Sequence, residues 1–228
     1  MKKKLHAVIL ADVVASGGRK RLRPVLHRLL RETTAAHRRR KLILLPYAVT
    51  AGDEFQTITD NLEKIPWLLL DLRGRLQPIA LRIGVGIGEV SGRIRPPVNQ
   101  MDGPAFRMAR QALDGLKEAR KSAALTAFRS VNSEFDQLAN LIYALQDTLV
   151  RKMTEKQWET VAARIAHGSL QETARALGQD DSTVSRSLKR GYYGQLVAAA
   201  SGVEQLIRER FFGAHGSVQE RRIAHNRT

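Results

Sequence analysis

Ala48-Val49-Thr50-Ala51-Gly52-Asp53-Glu54-Phe55-Gln56-Thr57-Ile58 is the stretch whose reading decides the fold. Apolar and β-branched residues flank a Gly-Asp-Glu turn, so two strands, over residues 42–49 and 55–58, are expected to meet in a tight hairpin at Gly52. A hairpin needs more strands and a helical cover to become stable. Residues 5–10 supply one strand, an apolar run that reaches Asp12 too soon to be a leader or a membrane span. Residues 81–87 supply another, and residues 124–129 a last one. Helices are expected between them. Residues 22–38 put Leu22, Val25, Leu26, Leu29 and Leu30 on one face between basic flanks that read as solvated. Residues 61–73 carry Pro66, tolerable only in a first turn or at a kink, and residues 104–121 follow. The order β, α, β, β, α, β, α, β implies an α/β (α+β) layer with helices packed on a partly antiparallel sheet.

The texture changes near residue 133. Phe135, Leu138, Leu141, Ile142, Leu145 and Leu149 recur at helical spacing, and only helices are expected beyond them. The expected division is therefore a sheet domain over 1–132, a connector helix (133–152) leading an all-α domain over 133–212, and a flexible tail over 213–228, which is poor in apolar residues.

The composition narrows the partners. The 228 residues contain no cysteine, which excludes disulfides and thiolate metal sites, zinc fingers among them, and agrees with a cytoplasmic location. With 38 Lys and Arg against 22 Asp and Glu, the net charge of +16 favours a polyanion, nucleic acid first, because a basic surface releases counterions when it binds phosphates.

Two regions carry chemistry. Asp12 ends the first strand and Asp53 sits at the hairpin tip, so the two carboxylates are expected to converge on Mg²⁺ or Mn²⁺, which takes oxygen ligands and completes its shell with water and substrate phosphates. Val13, Val14, Ser16, Gly52 and Glu54 are the expected nucleotide contacts, the first three through a segment whose backbone amides can approach phosphate oxygens. Catalytic residues are left unassigned. The second region, residues 169–190, reads as a DNA-binding helix-turn-helix. Ala174 is small where two helices touch, Gly178 permits the turn, Val184 and Leu188 face inward, and Asp181 or Ser182 caps the second helix. That helix would offer Ser182, Thr183, Ser185, Arg186, Lys189 and Arg190 to a major groove and its phosphates. Duplex DNA read in half-sites implies a homodimer.

Asp12 and the Gly52-Asp53 turn together resemble the metal-binding palm of the class III nucleotidyl cyclases and GGDEF proteins, and Arg82-Ile83-Gly84-Val85-Gly86-Ile87-Gly88-Glu89-Val90 resembles a cyclase strand and turn. Ala11-Asp12-Val13-Val14, Gly52-Asp53-Glu54-Phe55-Gln56, residues 82–89, Asp102-Gly103-Pro104-Ala105 and the helix-turn-helix together resemble the SatD family over most of the chain. That resemblance implies an α/β (α+β) palm-like, ferredoxin-like sheet with packed helices, fused to an all-α DNA-binding helix-turn-helix domain. The base-selecting Lys of many cyclases has no counterpart near Val49, and their later-helix Asn and Arg are matched by Arg107 and Gln111. The expected function is therefore a DNA-binding transcriptional regulator with a nucleotide- and metal-binding sensor; the alternative is a metal-dependent nucleotidyl cyclase or nucleotidyltransferase.

Overall fold

A computed structural model describes residues 4–14, 22–119 and 122–213. Among the described residues it is a mixed α/β protein with one five-stranded sheet and eight α-helices. Strands β1 (His6–Val13), β2 (Ala48–Ala51), β3 (Glu54–Thr59), β4 (Leu81–Gly88) and β5 (Thr126–Ser130) lie in the order β2-β3-β1-β4-β5. β1 is central and antiparallel to both β3 and β4, β2 pairs antiparallel with β3, and β5 joins β4 in parallel. β1 reads as an unbroken apolar run because both of its faces are covered: Ala7, Ile9, Ala11 and Val13 point into one cluster, and Val8 and Leu10 into another.

Helices α1 (Leu22–Arg39) and α2 (Ile65–Arg75) lie toward the first cluster, where Leu26 and Leu30 meet Leu68, Leu69 and Leu72. Pro66 stands at the start of α2, where its missing N–H costs nothing, as the sequence requires. The strand expected over residues 42–49 is shorter and lies later, sharing only Ala48 and Val49 with the observed one and running on through Thr50 and Ala51, which were expected in the turn. Only Ala48–Ala51 forms β2, while Leu42, Ile43 and Leu45 bury their side chains from an irregular segment held by the amide of Leu44 on the carbonyl of Ile58. Pro46 explains the break, since it has no N–H to give to a ladder.

The other face of the sheet is set by glycine. Cβ atoms at Gly84 and Gly86 would fall 2.4 Å from the carbonyl oxygen of Ala109 and 2.0 Å from that of Ala105, so helix α3 (Pro104–Glu118) rests directly on the backbone of β4. Ala105, Ala109 and Ala112 are the matching small residues on α3. The Gly-Val-Gly-Ile-Gly run is therefore a docking face for a helix.

β5 is an edge strand, and helix α4 (Ser133–Val150) covers it. The amide Oδ1 and Nδ2 of Asn140 take the N–H and C=O of Phe128, Asp136 accepts from the Ser130 amide, and Asp147 accepts from the Leu125 amide at 2.7 Å. Edge groups that would template another strand are thus spent on side chains. Beyond α4, helices α5 (Glu155–His167), α6 (Leu170–Leu177), α7 (Asp181–Arg190) and α8 (Tyr193–Ile207) enclose a cluster of Trp158, Val161, Ala174, Val184, Leu188 and Leu196. This cluster extends to Leu70 of α2 and to Leu125, so the helices rest on the sheet layer. α8 returns further: Val203 and Ile207 enter the core of the sheet, and Glu204 accepts bonds from Lys64 and the Trp67 indole. No helix among the described residues is long and apolar enough to cross a membrane.

Candidate functional site

The register of β1 against β3 pairs Ala11 with Phe55, so Asp12 falls level with Glu54 and both side chains point toward α3. α3 answers with Arg110 and Lys117, seven residues apart on one helix face. Lys117 Nζ lies 3.4 Å from Asp12 and 3.5 Å from Glu54. Arg110 grips Glu54 with two bonds of 2.6 and 2.7 Å, and the Thr50 hydroxyl donates to the same carboxylate at 2.9 Å. Arg82, opposite Asp12 on β4, stands 3.7 Å from its carboxylate.

The carboxylates differ in how well they are served. Burial alone would raise the Glu54 carboxyl, but bonds from Arg110 and Thr50 outweigh it and hold it below the ordinary range. Asp12 moves the other way. Burial pushes it up, the charge of Asp53 adds to this, and Lys117 and Arg82 do not compensate. Asp53 sits just after Gly52, whose φ of +61° makes the hairpin tip, and its Oδ2 is buried without a hydrogen-bond partner. Two neighbouring carboxylates, one of them with an orphaned oxygen, are the donor type a hard divalent cation such as Mg²⁺ or Mn²⁺ takes. Among the described residues no group of three His, Asp or Glu is arranged to hold an ion unaided. Glu54 is already committed to Arg110, which leaves Asp12 and Asp53, and one or two carboxylates with water and phosphates is the usual way Mg²⁺ is bound.

The remaining candidates fall in different places. Val13 is opposite Leu81 in the ladder and buries its side chain in the core, and the Val14 amide donates to the Ala80 carbonyl at 2.8 Å, so that amide is spent within the fold. Gly52 is exposed at the tip. Ser16 lies outside the described residues. The basic members Arg82, Arg110 and Lys117 were not singled out from sequence, although Arg110, Asp114 and Lys117 recur at helical spacing and bear the signature of a polar stripe.

In the helical part, Ala174, Val184 and Leu188 are buried and Gly178 ends α6 in the left-handed conformation, φ +62°, as expected. The cap of α7 is one residue earlier than expected. Asp180, rather than Asp181 or Ser182, accepts from the Thr183 amide and also from the Ser182 and Thr183 hydroxyls, and these bonds keep its carboxyl well below the usual range. Ser182 and Thr183 are thereby drawn toward the cap. Ser185, Arg186, Lys189 and Arg190 are exposed along α7, and a groove of about 460 Å³ beside them is lined by Lys156, Gln157, Gln179, Thr183, Arg186 and Arg190.

The molecule is thus a mixed α/β protein with a cluster of carboxylates and basic side chains near the end of its central strand and a helix presenting cations elsewhere. The profile of the SatD family matches residues 7–193, and the chain belongs to that family. No curated protein matches the sequence.

Proposed function

We propose that the chain is a DNA-binding transcriptional regulator whose sheet layer is a palm-like sensor for a nucleotide with Mg²⁺ or Mn²⁺. The observation that carries the sensor reading is the cluster itself: Asp53 keeps a buried oxygen without a hydrogen-bond partner beside Asp12, and Arg82, Arg110 and Lys117 stand around them. Bound there by Asp12 and Asp53, a divalent ion would satisfy the orphaned Asp53 oxygen and draw in a phosphate tail. Arg82, Arg110 and Lys117 would bind that tail and orient it. The antiparallel order β2-β3-β1-β4 with helices between strands supports a ferredoxin-like palm, with β5 as an added strand.

The DNA reading is supported by the α6–α7 pair. Its buried residues, left-handed Gly178 and short connection match a helix-turn-helix, and α7 leaves Ser185, Arg186, Lys189 and Arg190 to solvent. On this reading residues 1–132 sense, residues 133–212 bind DNA, and the location is cytoplasmic.

Calorimetric titration of nucleoside triphosphates with and without Mg²⁺ tests the sensor. Binding that requires the ion and is abolished by Asp12→Asn with Asp53→Asn, in a variant that keeps its circular dichroism, is the expected result; equal binding without metal would remove the reading. Mass spectrometry of the same mixtures separates sensor from enzyme, since a cyclase or nucleotidyltransferase leaves product and a sensor returns the nucleotide intact.

A further inference from the structure

Six large apolar side chains stand exposed among the described residues, and three of them, Leu138, Leu141 and Leu145, share one face of α4, with Leu141 and Leu145 59% and 64% exposed. The face extends both ways. Glu134, Leu138, Leu141, Leu145 and Thr148 follow one another along α4 at intervals of four, three, four and three residues, the a/d spacing of a coiled coil, and the exposed Lys152 stands four residues further on, in the turn just past the helix end. Phe135, Ala139, Tyr143, Gln146 and Val150 form the opposite, buried face of the same helix. α4 therefore carries two seams, one filled by its own fold and one open.

We infer that the open seam is the interface with a second copy of this chain, packed as an antiparallel α4 pair about a twofold axis level with residue 143. The stripe is self-complementary in that register. Leu141 meets the partner's Leu145, Leu138 meets the partner's Thr148, and Glu134 meets the partner's Lys152, each pairing being made twice. A parallel pair would set Glu134 against the partner's Glu134 and Lys152 against the partner's Lys152, so charge selects the antiparallel arrangement. Glu134 already accepts from Arg210 at 2.7 Å, but its side chain is 62% exposed and has lone pairs left for a lysine. Pairing through the neighbouring sheet edge is closed, because Asn140, Asp136 and Asp147 occupy the backbone groups of residues 125–130. The inference is independent of the nucleotide and DNA readings.

The absence of cysteine makes the test clean, since any thiol introduced is the only one present. Leu141→Cys and Leu145→Cys chains are prepared separately, and disulfide formation by the full-length proteins is followed under mild oxidation. The mixture should cross-link faster than either variant alone, because only the mixed pair brings the two positions face to face. Faster cross-linking within Leu141→Cys alone would overturn the register. Sedimentation equilibrium of the cysteine-free chain should show a dimer, weakened about 100-fold or more by Leu141→Glu with Leu145→Glu. A dimer that survives this double change, or a wild-type chain that sediments as a monomer throughout, would overturn the interface. Glu134→Lys and Lys152→Glu should each weaken association and together restore it.

Discussion

Asp12 and Glu54 lie side by side under the same lysine and are driven in opposite directions. The raised Asp12 carboxyl binds its proton more tightly folded than unfolded, so its contribution to stability is present at low pH and is lost as pH rises through the folded value. Glu54 does the reverse: its lowered value contributes stability above the unfolded glutamate range that is lost as pH falls through the folded value. Asp12→Asn should therefore leave neutral-pH thermal stability unchanged or higher in metal-free buffer, and should abolish any rise in Tm that Mg²⁺ produces in the wild type. Glu54→Gln should cost about 1–2 kcal/mol at neutral pH, since it loses a charge-assisted double bond to a half-exposed arginine, and less in acid. Thermal unfolding against pH, with and without Mg²⁺, checks both; a large loss of metal-free stability in Asp12→Asn would mean that Lys117 satisfies Asp12 fully.

Arg73 carries a second buried charge, remote from chemistry. It donates to the Leu81 carbonyl at 2.9 Å and to the Thr126 hydroxyl at 2.8 Å, and lies 3.5 Å from Asp147, whose carboxyl burial raises. It thereby fastens α2, β4, β5 and α4 at one point. Arg73→Met should destabilise by about 3–5 kcal/mol, because it strands a buried carboxylate. Arg73→Met with Asp147→Asn should be milder, as asparagine removes the charge but still accepts from the Leu125 amide. Urea denaturation decides, and equal losses in the single and double variants would show that packing, not stranded charge, sets the cost.

Among the elements, α3 on β4 is the tightest fit. A Cβ at Gly86 would lie 2.0 Å from one backbone atom of α3 and 2.3 Å from another, so the helix itself must lift. Gly86→Ala should cost about 3 kcal/mol or more, and by shifting α3 should also displace Arg110 and Lys117 from the acidic cluster. Gly52→Ala meets no atom within 4 Å, so it should cost only the about 1 kcal/mol of a left-handed backbone. Denaturant midpoints that fail to separate the two would contradict the close approach. This contrast also marks what the sequence made legible. Periodicity located four of the five strands and all but the ends of the helices packed on the sheet, because apolar spacing records burial. It overextended the strand before the hairpin, where Pro46 and burial from irregular backbone mimic a strand's composition. Asp12 and Asp53 could be put forward as candidates because a turn and a strand end are local features. Arg110 and Lys117 were not, because only the sheet register and the docking of α3 bring them to residues about 55 to 105 positions earlier.

At the scale of the molecule, the sheet layer and helices α5–α7 touch through a shorter path than α4. Val14, two residues past Asp12, packs against the cluster that holds Trp158, Val184 and Leu188, and it lines a cavity of about 360 Å³ together with Leu81, Leu125 and Trp158. Trp158 belongs to α5, the helix on which α6 and α7 rest. A change in how β1 ends at Asp12 is therefore felt within one side chain of the cluster that seats the proposed recognition helix. A ligand uses such a path only if it binds the DNA-competent and DNA-incompetent arrangements with different free energies, and the effect is then reciprocal. Nucleoside triphosphate with Mg²⁺ is expected to change the affinity of the chain for a selected duplex, and that duplex to change nucleotide affinity by the same factor. Val14→Ala should diminish this factor while leaving each separate affinity nearly intact, since Val14 spends its amide on Ala80 and its side chain on the cluster. Arg186→Ala or Lys189→Ala should instead weaken DNA binding with or without nucleotide, and lower its salt dependence by about 0.9 for each phosphate no longer neutralised. Fluorescence anisotropy titrations of duplex, with and without saturating nucleotide, measure both effects. Coupling that survives Val14→Ala undiminished would assign the transmission to α4 and α8, which also join the helices to the sheet layer.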